Sequence, residues 1–404
     1  MIHTAAARLA ETGLRLRAMM GGGETLRQRL VLDDPPPQAD IWVHGASVGE
    51  LVSARTIIEA LAGSAQVLVT ANSPTGRDMA AGWGLPARLA PLDVPGALGR
   101  FLNAARPRLA LTVEGEFWPL RSRMLAARGV PQAMIGARIS ARSAVRWGRL
   151  RGLIAPVLGR IEALSAQDVG SEERLRALGL PQAAILPRLD LKLLAPAAIA
   201  PPPDDPARDR VWLAASTHEG EDGVILDAWL AARQSCPDLR LILAPRHPRR
   251  GDEIATLIAA RGLTVARRSG GAESGPVLLA DTLGEMSRWY AAAGICFIGG
   301  TLTDRGGHTP WEPAAWRCAI LHGPHVSNHA EGFAALAQAG AARQLHPQDL
   351  GATVARLAAD PAQAQRMGHA ARAVLDRRAG DPASLIARLR YLANTRDKHD
   401  IQGQ

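Results

Sequence analysis

Short apolar runs alternate with stretches of helical periodicity along most of the chain. IWVHG (41–45), AQVLVTA (65–71), RLALTVE (108–114) and QAMIGA (132–137) contain few polar positions. Near-continuous runs of this kind mark strands buried on both faces of a parallel sheet, not the alternation of a half-exposed one. Helical patterns near 48–62, 75–83, 95–105 and 119–128 separate them. The rhythm breaks at APAAIAPPPDDPARDR (195–210), where clustered prolines suppress helix and strand and predict an interdomain linker. It resumes with VWLAAS (211–216), LRLILAP (239–245), PVLLAD (276–281), ICFIGG (295–300) and AILHG (319–323), again with helical segments between them. Residues 347–393 read as helical and end in a polar tail. The repetition predicts an α/β protein of two doubly wound, Rossmann-like domains, residues 1–194 and 211–404.

The chain has 404 residues, 47% hydrophobic and 21% charged, enough apolar material for two cores and too much for a disordered or fibrous protein. No run of about 18 apolar residues is present, which excludes a membrane-spanning helix. The start, MIHTAAARLAETGLRLRAMM, lacks a signal-peptide pattern, and its Ile2, Leu9, Leu16 and Met20 suggest an amphipathic helix that can touch lipid. Cys236, Cys296 and Cys318 are too few and too scattered for a disulfide framework or a zinc site. These features point to the cytosol.

Charge adds more. Lys192 and Lys398 are the two lysines, so 45 of the 47 basic residues are arginine and the net charge is +9. Residues 1–200 hold 24 basic and 16 acidic side chains, against 23 and 22 in the remainder. Nine arginines and no acid lie between Glu116 and Glu162. Such a block suits phosphates, an anionic membrane surface or nucleic acid. A GC-rich genome and a solvated face account for it equally well.

Open α/β sheets bind ligands at the carboxyl ends of their strands, so the strand-to-helix turns are the places to look. They read HGASVGE (44–50), EGEFWP (114–119), ASTHEGE (215–221), APRHPRR (244–250) and GGTLTDRGGHTPWEP (299–313). Each brings Gly, Ser, Thr, His or Glu to a helix start, where free N–H groups and the helix dipole favour phosphate. No P-loop and no GxGxxG fingerprint is present. Glu50 reads either as a carboxylate complementing a helix dipole or as a general base beside Gly45 and Gly49. Of Glu114 and Glu116, one caps the next helix and the other faces the ligand. Gly306 and Gly307 read as a phosphate cradle, with Glu312 one turn on to accept from ribose hydroxyls; Thr309 or Glu312 capping the helix is the plainer account. Arg246 and His247 stand at another strand end.

Seven segments in fixed order resemble the 3-deoxy-D-manno-octulosonic acid (Kdo) transferases: HGASVGE, GARISARS (136–143), SAQDVGSEERLRALG (165–179), ASTHEGE, APRHP, DTLGEM (281–286) and GGTL…GGHTPWEPAAW. The resemblance runs from about residue 24 to about residue 345. It implies the GT-B fold, two Rossmann-like domains facing across a cleft, the first for the acceptor and the second for the donor. It further implies inverting transfer from CMP-Kdo to a lipid A precursor (lipid IVA), in lipopolysaccharide inner-core synthesis, with no metal or other cofactor. Carried across, Glu50 is the catalytic base, and Glu114 and Glu116 fall on the family's acidic positions. Ser216, Arg246, His247, Gly300, Gly306, Gly307, His308 and Glu312 fall on the donor side. Ser47, Gly49, Arg138 and Arg142 fall on the acceptor side. Gly115 stands where the family commonly has Thr, Leu120 where it has Asn, and RLDLK (188–192) where it has GNLK. The implied setting is peripheral, on the cytoplasmic face of the inner membrane, with no nucleic-acid partner. A nucleotide-sugar 2-epimerase shares the predicted architecture but acts on a UDP-sugar without a lipid acceptor. A nucleic-acid-binding protein would use the arginines, would bind with steep salt dependence and would not need Glu50.

Overall fold

Val, Ile, Leu and Ala fill the predicted strand segments, and each of the nine predicted runs forms a strand. The computed structural model describes residues 2–21 and 23–395. The first sheet comprises β1 (Ile41–His44), β2 (Val67–Ala71), β3 (Ala87–Leu89), β4 (Leu109–Val113), β5 (Gln132–Ala137), β6 (Ile161–Ala166) and β7 (Ile185–Leu186). The second comprises β8 (Val211–Thr217), β9 (Arg240–Pro245), β10 (Ala266–Arg267), β11 (Val277–Leu279), β12 (Ile295–Ile298), β13 (Ala319–His322) and β14 (Ala342–Gln344). Their orders are β3-β2-β1-β4-β5-β6-β7 and β10-β11-β9-β8-β12-β13-β14. Ile41 of β1 pairs in parallel with Val67 of β2 and Leu109 of β4, and Ile295 of β12 with Trp212 of β8 and Ala319 of β13.

Strand order reverses between β1 and β4 in the first sheet and between β8 and β12 in the second. These are the topological switch points, where the crossover helices diverge and leave room for a ligand beyond the strand ends. HGASVGE and EGEFWP leave β1 and β4; ASTHEGE and GGTLTDRGGHTPWEP leave β8 and β12. The topology thus puts these segments at the switch point of each sheet.

Each sheet is covered on both faces. The helix Val48–Ala62 turns Leu51, Ala54, Ile57, Ile58 and Leu61 onto β1, and all five are fully buried. A buried Leu or Ile contributes about 1.5–3 kcal/mol, so this face alone fixes the helix start at the end of β1. Trp212, Trp229 and Phe297 fill the second core.

The chain divides into Met1–Ala195 with Ala379–Gln404, and Pro196–Arg378. This corrects the expectation that everything after residue 210 belongs to the second domain. The helix Ala383–Asn394 returns to the first unit, burying Leu385, Leu389 and Leu392 among Ile41, Val43 and Leu109, and Arg390 donates to the Ala60 carbonyl. The end of the predicted linker is also structured: Arg208 is buried in the second unit, donating to the carbonyls of Ala291, Ala293 and Trp316.

The N-terminal helix Ile2–Met19 is anchored by Glu11, which is buried and accepts from the Gly96 N–H at 2.6 Å while pairing with Arg100 at 3.2 Å. Val94, at the cap of Pro95–Ala105, has no side-chain oxygen, so Glu11 satisfies an N–H that would otherwise be orphaned. Leu16 and Met20 are exposed; the side chains of Ile2 and Leu9 lie outside the described residues.

Candidate functional site

In the first unit, Ser47 caps the helix Val48–Ala62 by accepting from the Glu50 N–H at 3.2 Å. Glu50 reaches back, accepting from the Ala46 N–H at 2.7 Å and from the Ser47 hydroxyl at 3.1 Å. This reciprocal cap holds the carboxylate at the mouth of the switch point, half-buried. Burial raises its pKa above the usual carboxylate value, the charges of Glu114 and Glu116 add to the rise, and the two hydrogen bonds oppose it. Capping and base strength therefore coexist in one residue. Gly45 is bare for packing, since a Cβ there would lie 2.7 Å from Leu51 Cδ2, whereas Gly49 is open and leaves the helix start uncovered.

Glu114 ends β4 in the left-handed region, φ 59°, a strained conformation for a non-glycine residue that functional turns often retain. Its carboxylate makes no hydrogen bond or ion pair among the described residues. Glu116 is the tethered one of the two. It accepts from Trp118 Nε1 at 2.7 Å and faces His44 Nε2 at 3.6 Å, an electrostatic contact longer than a hydrogen bond. His44, Trp118 and the Arg121 guanidinium hold the Glu116 carboxyl below its ordinary range.

His44, buried on β1, is pushed down to about 4 by burial and is neutral at pH 7. Its Nδ1 meets the Thr70 hydroxyl at 3.1 Å, and Thr70 accepts from Trp42 Nε1 at 2.8 Å and donates to the Val43 carbonyl at 3.3 Å. Arg121 lies buried 5.6 Å over Trp42, its pKa lowered to about 10 by burial, and contacts Thr112 Oγ1 and the Glu116 carbonyl. One of the nine arginines in the block is thus an interior cation beneath Glu116, not a surface charge.

Arg138 and Arg142 remain exposed and unpaired among the described residues. The loop carrying Arg138 lies on the EGE turn: a Cβ at Gly115 would stand 2.6 Å from the Arg138 carbonyl oxygen. The helix Ala141–Gly148, capped by Ser140, buries no residue fully, carries Arg142 and Arg146 and the exposed Val145, and leans Trp147 edge-on against Phe117 at 5.9 Å.

In the second unit, β8 ends in a bulge at Ser216, φ 58°. The buried Glu221 knits this end to the loop after β12, accepting from the N–H groups of His218 (2.8 Å), Gly300 (2.7 Å), Thr301 (3.0 Å) and Leu302 (2.9 Å). Gly299 has no room for a Cβ against the Ser216 carbonyl. Gly306 and Gly307 take φ of 77° and 75°; Gly307 donates to the Gly300 carbonyl, and a Cβ on either would strike Asn328 or Thr301. These glycines shape a closely packed loop that presents His308.

His308 meets His218 at 2.9 Å between Nε2 atoms, and His247 stands edge-on to His218 at 6.0 Å. Arg246 follows β9 and is exposed; burial depresses the pKa of both His218 and His308, and the Arg246 charge adds to the fall. Thr217 and Arg250 share the buried Asp222 at 2.6 Å each, fixing the Arg246–Arg250 turn to β8. Glu312 opens the short helix Trp311–Ala315 and receives Tyr290 OH at 3.3 Å.

The sequence singled out Ser216, Arg246, His247 and His308, which the fold gathers around one switch point, and Glu50, Glu114 and Glu116, which it gathers around the other. It missed His44, Arg121, His218 and Glu221. His218 and Glu221 stood inside ASTHEGE and were readable as paired polar residues at a strand end. His44 and Arg121 gave no signal, because their partners come from strands distant in sequence. Among the described residues no group of three or more His, Cys, Asp or Glu is arranged to hold a metal ion.

Two parallel, doubly wound sheets with polar switch points define a GT-B type architecture, the fold of many nucleotide-sugar enzymes. The structure of UDP-GlcNAc 2-epimerase from Neisseria meningitidis shares that fold, with a TM-score of 0.51 at 12% identity over 81% of this chain and 94% of that one. A family model for 3-deoxy-D-manno-octulosonic-acid transferase (kdotransferase) matches residues 24–195. The chain is 36% identical over 358 residues to the 3-deoxy-D-manno-octulosonic acid transferase of Bordetella pertussis, covering 84% of each. It is 34% identical over 320 residues to that of Haemophilus influenzae, covering 75% of each. The chain belongs to the 3-deoxy-D-manno-octulosonic acid transferase family and is a glycosyltransferase.

Proposed function

We propose that this glycosyltransferase moves Kdo from CMP-Kdo to a lipid A precursor with inversion, Glu50 acting as the general base. The observation that carries the reading is the Glu50 carboxylate, half-buried at the β1–β4 switch point with its pKa raised by burial and by Glu114 and Glu116. A single displacement at the anomeric carbon needs one base to take the acceptor hydroxyl proton as the oxygen attacks. The bond to the CMP phosphate breaks, and its electron pair stays on the phosphate oxygen. Arg246 supplies positive charge for that phosphate from the protein itself, and the imidazoles of His218, His247 and His308 offer it hydrogen-bonding nitrogens. Glu312, steadied by Tyr290, receives the ribose hydroxyls.

The acceptor is a phosphorylated glycolipid. Arg138 and Arg142, exposed beside the EGE turn, suit its phosphates, because Arg binds phosphate through two parallel N–H bonds. Among the described residues no helix is long and apolar enough to cross a membrane. Contact with the cytoplasmic leaflet is accordingly peripheral in this account, through the exposed Arg142, Val145 and Arg146 face. Following nucleotide release from CMP-Kdo and from UDP-GlcNAc, each with and without lipid IVA, tests the reading. CMP release that requires the lipid supports it; turnover of UDP-GlcNAc without lipid favours an epimerase and contradicts it.

A further inference from the structure

The Nε2 atoms of His218 and His308 lie 2.9 Å apart. The ring planes differ by 8° and the centroids are 5.1 Å apart. That spacing equals the nitrogen gap plus one ring radius on either side, so the imidazoles lie edge to edge in one plane, not face to face. A contact this short requires one Nε2–H and one Nε2 lone pair. The proton capacity of the pair follows. The donating ring can take one further proton on its Nδ1 and become imidazolium with the contact intact. A second added proton would set two N–H groups against each other. Neither Nδ1 bonds to protein among the described residues.

The surrounding charge is one-sided. Burial pushes His308 down to about 4, with His218, Arg246, His329 and His247 adding to the fall. His218 is lowered by burial too, with Arg305, His247 and Arg246 adding to the fall and Glu221 opposing it. Glu221 is already engaged by four backbone N–H groups, and Asp304, in the loop after β12, faces His325 at 3.7 Å. The pair is therefore neutral at pH 7 while standing among cations.

We propose that the His218–His308 pair is a proton-linked phosphate clamp, taking up one proton from solvent when a phosphate dianion binds beside it and holding that phosphate through the new Nδ1–H. This rests on the second unit being the donor side. A dianion reverses the sign of the local field and raises the imidazole pKa, and a charge-assisted N–H···O bond is about twice as strong as a neutral one. The clamp also follows the reaction. In the sugar nucleotide the phosphate is a monoanionic diester. Once the anomeric C–O bond breaks, with the electron pair left on oxygen, it becomes a dianionic monoester, and the imidazolium compensates the added charge.

Calorimetric titration of CMP into the full chain at pH 7, in two buffers of different ionisation enthalpy, counts the protons exchanged. With a second phosphate pKa of about 6, CMP is mostly dianionic there, so uptake falls on the protein. The clamp predicts uptake of about one proton per CMP and an affinity that falls as pH rises, up to about tenfold per unit. Cytidine should bind without uptake. His308→Gln and His218→Gln, checked for folding by circular dichroism, should still bind CMP, more weakly and without uptake. CMP binding with no buffer-dependent heat in the wild type overturns the clamp and leaves the donor-side reading intact. Absence of CMP binding overturns both. Undiminished uptake in both variants places the proton elsewhere and overturns the assignment.

Discussion

Glu221→Gln isolates the contact that ties the end of β8 to the loop after β12. Each carboxylate oxygen accepts two backbone N–H groups, Oε2 from His218 and Gly300 and Oε1 from Thr301 and Leu302, in a site closed to water. A Gln amide of the same shape keeps one accepting oxygen and turns an NH2 group toward the other two donors. Two buried N–H groups then lose their acceptor, at about 1–3 kcal/mol each. Removing a buried charge returns part of that loss. The expected net destabilisation is about 2–4 kcal/mol, a fall in Tm of roughly 5–15 °C for a unit of this size. The loop bearing Gly300 and His308 loosens with it, so CMP binding should weaken about tenfold or more, each factor of ten being about 1.4 kcal/mol. Scanning calorimetry and CMP titration on the same sample test both effects. A variant with wild-type Tm and wild-type CMP affinity would refute the reasoning that Glu221 holds the two strand ends together.

Glu50→Gln should lower transfer about 10²–10⁴-fold while leaving CMP affinity unchanged, as steady-state rates and titration will tell; the stability loss should stay within about 1 kcal/mol, the worth of one charge at a helix start. Because the base works deprotonated and burial raises its pKa, the rate should climb with pH along an acidic limb displaced above the ordinary carboxylate range, a limb absent from the residual activity of Glu50→Gln. Arg138→Ala with Arg142→Ala should weaken binding to vesicles containing lipid A precursor by about 1 kcal/mol per charge at low salt, with the loss shrinking at high salt and CMP affinity unmoved. Gly115→Ala forces a Cβ to 2.6 Å from the Arg138 carbonyl, so chemical denaturation should show a loss of about 1–3 kcal/mol together with weakened acceptor binding.

Strand positions were readable because a parallel strand buried on both faces leaves an unbroken apolar run, as in β1 and β12. β6, IEALSA, gives no unbroken apolar run because Glu162 stands exposed in its second position, and β3 has only three residues. The return of Ala383–Asn394 to the first unit was not legible: Leu385, Leu389 and Leu392 announce a helical face without saying which sheet receives it. Glu50, His247 and His308 were visible because strand-to-helix turns carry chemistry in this architecture. Gly306 and Gly307 looked like a bare cradle, yet their missing side chains also admit Asn328 and Thr301. Glu221 and Arg121 show the opposite limit. A buried charge is recognisable only from the partners folded around it.

Mass spectrometry of lipid IVA after incubation with CMP-Kdo and the purified protein tests the central claim most directly. The account predicts a gain of one or more Kdo residues on the lipid, dependent on CMP-Kdo and lost in Glu50→Gln. An unmodified lipid in the presence of folded, CMP-binding protein, or equal product from the Glu50→Gln variant, would contradict it.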